Sequence, residues 1–185
     1  MKKIMMTLAA VAVAATMNAQ VYVGGSLGFE SQSCDGNSET FYKIMPEIGY
    51  NLNEDWAVGI VLGYGESKEK EKVGRATITT DKEKFFSINP YARYTFAKFD
   101  KINLFVDGGV EYAHYDNNGD KANAFSIGLK PGVAVNLNDK LSFVAHAGFL
   151  GYINAKKDEE GAKALNTFGV SLDATDLSFG IYYNF

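Results

Sequence analysis

The sequence predicts an all-β fold, an eight-stranded antiparallel up-and-down transmembrane β-barrel, and three observations carry that prediction. Apolar and polar side chains alternate with period two through eight segments, as in strands with two unlike faces. The connections between segments alternate between short and long, so that turns gather at one end and loops at the other. The charged residues within the segments share one face, and the opposite face carries none over membrane-length stretches. A charge facing lipid near the bilayer midplane costs about 2–4 kcal/mol, so a lipid-facing surface excludes it.

At the start of the chain, Lys2 and Lys3 precede an apolar run from Ile4 to Ala15, and the small residue Ala19 stands before Gln20. These are the regions of a secretory signal peptide, with cleavage expected between Ala19 and Gln20. The chain thus divides into a signal peptide, residues 1–19, and a barrel domain, residues 20–185. The apolar run is too short for a stable membrane helix, which needs about 20 residues.

The first segment, Gln20 to Glu30, sets Val21, Val23, Leu27 and Phe29 against Tyr22, Ser26 and Glu30. The second sets Tyr42, Ile44, Pro46, Ile48 and Tyr50 against Lys43, Met45 and Glu47, and the third sets Trp56, Val58, Ile60, Leu62 and Tyr64 against a face of small residues. In the fourth, Phe86, Ile88, Ala92, Tyr94 and Phe96 oppose Ser87, Asn89, Tyr91 and Arg93. The fifth alternates Ile102, Leu104, Val106, Val110 and Tyr112 with Asn103, Phe105, Asp107, Gly109 and Glu111. The sixth alternates Phe125, Ile127, Leu129 and Val133 with Ser126, Gly128 and Lys130. In the seventh, Leu141, Phe143, Ala145, Ala147 and Phe149 are expected on one face, with Ser142, Val144, His146, Gly148 and Leu150 on the other.

The eighth segment ends the chain, with Leu177, Phe179, Ile181, Tyr183 and Phe185 on one face and Ser178, Gly180, Tyr182 and Asn184 on the other. Upstream, Phe168, Val170 and Leu172 follow the opposite parity, so a bulge is expected around Asp173 to Asp176. Short turns are expected at Asn51 to Asp55, Ala97 to Lys101 and Asn136 to Lys140. Longer polar connections are expected near Ser31 to Glu39, Glu66 to Lys84, Asp116 to Asn123 and Asn154 to Asn166.

The same periodicity with the faces exchanged fits a soluble lipocalin-like carrier. Charge placement favours the apolar face outward, and so does the position of most strand glycines on the charged face. An eight-stranded barrel has just enough interior for side chains to fill, and glycines make room beside large ones. Mean hydropathy is only −0.12, as expected where alternate residues alone are apolar. The apolar face carries Tyr50, Trp56, Tyr94 and Phe185 near the short turns and Tyr42, Tyr64, Phe86 and Tyr112 nearer the loops, two bands suited to membrane interfaces.

With the Ala19-Gln20 junction, the three Asn/Asp-rich turns and the ending Leu177-Ser178-Phe179-Gly180-Ile181-Tyr182-Tyr183-Asn184-Phe185 in view, the chain resembles the small outer-membrane β-barrel family of Gram-negative bacteria. These are the OmpX-like and OmpA-barrel-like proteins of the porin family, and the likeness is strongest to their Bacteroidetes branch. The resemblance implies a bacterial outer-membrane location with periplasmic termini and extracellular long loops. It also implies lipid and lipopolysaccharide as surroundings, and recognition of Phe179, Ile181, Tyr183 and Phe185 by the barrel-assembly machinery. It specifies architecture far better than activity.

The inward charges Lys43, Glu47, Arg93, Asp107, Glu111 and Lys130, with His146, are the candidate functional set. If the turn near Lys98 to Asp100 folds the fourth segment onto the fifth, Arg93 stands opposite Asp107 and Asn89 opposite Glu111. Lys130 is expected across from the Glu111 region, with His146 as its neighbour across the next turn. Such a ladder would plug the lumen, leaving a structural or surface-interacting role through the long loops. The alternative is a narrow pore for small solutes, with the charges as its filter.

Eighteen basic residues less Lys2 and Lys3, against 22 acidic ones, leave the barrel domain near −6, which argues against nucleic acid as a partner. A single cysteine, Cys34, excludes an internal disulfide. His114 near Asp116, and His146 with no second His or Cys at ligand spacing, support neither catalysis nor a metal site, and no cofactor is expected. Asp116-Asn117-Asn118-Gly119-Asp120 lacks the glycine and acidic positions of a calcium loop and reads as a turn. The mixed Lys and Glu run from Glu66 to Lys84 reads as a solvated hairpin tip, or as a surface that meets lipid phosphates or a host. A monomer is expected.

Overall fold

The computed structural model describes residues 20–34, 37–73, 76–158, 163–171 and 178–185, with side chains except in 29–39 and 69–81. The expected signal peptide, Leu177 and the expected bulge at Asp173 to Asp176 lie outside these residues. Among the described residues there are ten strands: β1 (Val21–Cys34), β2 (Asn37–Asn51), β3 (Trp56–Val73), β4 (Ala76–Lys98), β5 (Ile102–Asn117), β6 (Asp120–Asn136), β7 (Leu141–His146), β8 (Phe149–Lys157), β9 (Leu165–Ser171) and β10 (Ser178–Asn184). All pairings are antiparallel. They form eight staves, because β7 and β8 both pair with β6, while β9 pairs with β8 and β10 with β7. The ring closes through β1 and β10, from Tyr22 opposite Asn184 to Leu27 opposite Phe179.

Side-chain direction follows lipid logic, with the apolar face outward. Leu27, Leu62, Phe86, Ile88, Ile127, Phe179 and Ile181 are exposed on the outside, while Tyr22, Tyr91, Arg93, Phe105, Asp107 and Tyr182 are buried within. That arrangement is the reverse of a soluble carrier's. The interior is filled by a repeated device: an inward ring lies across a glycine that is its direct partner on the next strand. Tyr22 faces Gly49, Tyr91 faces Gly59, Phe105 faces Gly132 and Tyr182 faces Gly24. A Cβ on any of these four glycines would come within 2.2–2.5 Å of the opposing side chain.

Two of the three short turns are built alike. In both, the Asn-Leu-Asn core places a carboxamide oxygen, that of Asn53 or Asn138, where it accepts two successive backbone N–H groups at 2.9 Å. This is the local turn chemistry for which Asn is suited.

The long connections differ from expectation, because most of their length is strand. β3 and β4 run 18 and 23 residues, well past the roughly 9–11 that cross a membrane. Asp116 to Asn123 contains a two-residue turn, Asn118-Gly119, with φ of 50° and 105°. Positive φ at both central residues fits a tight hairpin, and Gly119 N–H also donates to Asp116 Oδ1. Once a hairpin leaves the membrane both its faces meet water, so its continuation as strand leaves no period-two mark.

The seventh stave also departs from the expected parity. It breaks at Ala147 and Gly148, where Gly148 takes φ 78°, so the residues beyond change face. Phe149 turns into the lumen, lying against Gly128, and Leu150 is 40% exposed on the outside. Leu150 and Tyr152 then stand beside Val170 and Phe168.

Candidate functional site

The centre of the lumen is occupied by Arg93. β4 and β5 place it opposite Asp107, and the guanidinium grips that carboxylate with two bonds, Nε to Oδ1 at 2.6 Å and Nη2 to Oδ2 at 2.7 Å. Nη2 lies 3.6 Å from Glu47 Oε1 and donates to the Tyr182 hydroxyl at 3.3 Å. The Arg93 carbon between the amines sits 4.0 Å from the centre of the Phe105 ring. Paired, planar and stacked at once, this is a site that suits Arg and not Lys.

Glu47, on β2, completes the layer. Its two oxygens accept from Tyr91 and Tyr182, and Tyr91 in turn bonds Tyr22. His146 Nε2 lies 2.9 Å from Asp107 Oδ2. A carboxylate can only accept, so Nε2 carries the hydrogen of that bond. Arg93, Asp107 and Glu47 are each more than 90% buried, yet every charge has a partner, as low-dielectric burial requires.

A second charged pair stands on the long-loop side. Lys130 Nζ donates to Glu111 Oε2 at 3.0 Å, and Asn89 Nδ2 reaches the same oxygen at 3.2 Å. Lys43 faces inward over Gly28, on the same side of the lumen as this pair. His146 is not the neighbour of Lys130: it stands across from Gly132, and its Nε2–H donates to Asp107 in the Arg93 layer. The reason is register, since β7 meets β6 two residues nearer the turn.

The network divides the interior. Below it, at the short-turn end, a cavity of about 500 Å³ reaches Arg93, Phe105 and Tyr182. Above it, a cavity of about 120 Å³ reaches Glu47, Tyr91, Asp107 and His146. One layer closes the inner end of both.

Tyr22, Tyr91, Tyr182 and Phe105 belong to this layer, although the sequence alone assigned them no role. Their signal is an aromatic residue on the polar parity with a glycine at the partner position. Outside, Trp56 pairs with Tyr94, Tyr64 with Phe86, and Ile88 with Tyr112. Tyr50 and Tyr42 stand on the outer parity of β2. Phe179, Ile181, Tyr183 and Phe185 follow one another along the end of the chain, with Phe185 N–H bonded to Val21 O at 3.1 Å. His114 bonds Asn123 across β5 and β6, away from Asp116. Among the described residues no group of three or more His, Cys, Asp or Glu is placed to hold a metal ion.

Apolar outside, closed by hydrogen bonds around the ring and filled by its own side chains, the protein is a small transmembrane β-barrel. It belongs to the outer membrane protein beta-barrel domain family, which it matches over residues 4–185. Its location is therefore the bacterial outer membrane. Among solved structures it is similar to Neisserial surface protein A (NspA), with 17% identity, 89% of this chain and 97% of that one covered, and a TM-score of 0.52. A major outer membrane protein from Thermus thermophilus matches at 13% identity over 90% of this chain and 99% of that one, with a TM-score of 0.45. No curated protein matches. At these identities the likeness speaks for the fold alone.

Proposed function

We propose that the protein is a plugged barrel, a structural element of the outer membrane that meets its surroundings through the hairpins at the long-connection end. The observation that carries this is the Arg93, Asp107 and Glu47 layer, which fills the lumen between two separate cavities and leaves none of its three charges unpaired. The reading places the termini and short turns in the periplasm and the extended hairpins outside the cell. In planar bilayers the purified protein is expected to be silent at all voltages, while Arg93→Ala gives stepwise openings. Stepwise conductance in the unaltered protein would overturn the plug in favour of the narrow solute pore.

The outward hairpins supply the contact surface. Just beyond the aromatic band, Glu66 accepts from Lys68 at 2.6 Å and lies 3.4 Å from Lys82. The Lys68 hydrogen bond holds the Glu66 carboxyl below the usual carboxylate range. Two ammonium groups, those of Lys68 and Lys82, gather around this carboxylate, level with the phosphates of lipopolysaccharide in the proposed orientation.

For assembly, the reading gives Phe179, Ile181, Tyr183 and Phe185 to the barrel-assembly machinery. Deleting Phe185 is expected to lower the amount of heat-modifiable barrel in outer membranes more than Ile181→Ala does. Equal yields from the two variants would remove the special role of the last residue.

A further inference from the structure

We propose that the cavity at the short-turn end binds a neutral, N-acetylated saccharide. Its volume, about 500 Å³, falls in the range of small-molecule sites, roughly 300–1,000 Å³. The mouth is lined by carboxamides from four strands and from the residue ahead of β1: Gln20, Asn51, Asn103, Asn136 and Asn184. Asn51, Asn103 and Asn184 make no side-chain hydrogen bond to another described residue. Each therefore presents both a free donor pair and a free acceptor.

The one cation lining the cavity is committed, since Arg93 is clamped on Asp107, and the lining carboxylate of Asp55 is held by Lys98 at 2.7 Å. Glu54 is almost fully solvated. Such a lining offers hydrogen bonds in both senses and no unpaired cation to draw an anion, while the one loosely held carboxylate, Glu54, is turned to water, which favours a polar, uncharged ligand. The floor around the committed Arg93 is apolar, made by Ala57, Phe105, Val144 and the stacked rings of Tyr22 and Tyr182. An acetamido methyl would lie on that floor while the hydroxyls and the amide meet the carboxamides above. A simple polyol has no such methyl, so the site should tell the two apart.

Binding is read from heat and from the sugar itself, because the chain's single tryptophan, Trp56, stands on the outer face against Tyr94. Folded protein in detergent micelles, checked by its gel shift on boiling, would be titrated with di-N-acetylchitobiose and with maltose, following heat and saturation transfer to the sugar protons in parallel. The expected result is saturable binding of chitobiose in the millimolar range, none of maltose, and about fivefold weaker binding in Asn103→Ala and in Asn51→Ala. Absence of saturable binding in both readouts, equal response to the two sugars, or variants that titrate like the unaltered protein would each overturn the proposal.

Sedimentation with isolated cell-wall sacculi identifies the source. Co-sedimentation displaced by chitobiose points to wall glycan, and free-sugar binding alone points to a soluble saccharide. The proposal rests on the plug reading only in taking Arg93 as the floor. Conductance of the unaltered protein would undo that reading without touching the titration, and a failed titration would leave a silent barrel intact.

Discussion

Arg93→Met is expected to lower the unfolding free energy of the barrel by about 3–5 kcal/mol, the usual cost of removing one partner from a buried ion pair. Methionine replaces the volume of the side chain but leaves Asp107 and Glu47 as two carboxylates in one buried layer. Asp107 loses both its close bonds from Arg93 and retains only that from His146. Glu47 keeps its two tyrosine donors but no longer has a cation beside it. Water in the flanking cavities reaches the edges of the layer, so the lower part of the range is the better expectation.

The measurement is reversible urea unfolding in lipid vesicles followed by the gel shift. Arg93→Lys should fall between, since an ammonium keeps the charge but cannot form the two parallel bonds. Arg93→Met combined with Asp107→Leu and Glu47→Gln should regain most of the loss, because a charge-free layer of similar volume, with the Gln carboxamide still bonded to the tyrosines, replaces the ion pair. A single variant as stable as the unaltered protein would show that the layer fills the lumen without holding the barrel together.

What the sequence showed of this barrel was what lipid dictates. The outer face of each stave is legible because a lipid-facing residue and its neighbour face opposite solvents, and Arg93 opposite Asp107 followed from a single short turn between β4 and β5. The extended hairpins were not legible, since strands standing in water need no apolar parity. Nor was the break at Gly148, one glycine among many, whose consequence is that Phe149 fills the lumen and Leu150 faces outward. The partner of His146 was missed for a related reason: its identity depends on the register of β7 against β6, and a shift of two residues moves the ring from Lys130 to Asp107. The rings of the plug were visible as residues but not as a layer, because the glycine opposite each is identified only once strands are paired.

Adjacent residues on β6 give the sharpest test of the two faces. Ile127 is 52% exposed on the outer surface, in the middle of a stave between Phe125 and Leu129. Ile127→Lys should cost about 2–4 kcal/mol, the penalty for a lysine near the bilayer midplane. Ser126, one residue earlier, points into the lumen beside the upper cavity and stands opposite Glu111. Ser126→Lys puts the same ammonium next to a carboxylate, which already has one cation in Lys130, within a cavity with some room. Its expected cost is under about 1.5 kcal/mol, from partial overpacking offset by the new ion pair. Unfolding in vesicles of fixed thickness reads both values. Lengthening the lipid acyl chains should enlarge the Ile127→Lys penalty, as the charge has farther to reach toward the headgroups, and leave Ser126→Lys unchanged. Equal costs for the two variants would mean that residue 127 does not face lipid, and with it the apolar-outward barrel would fall.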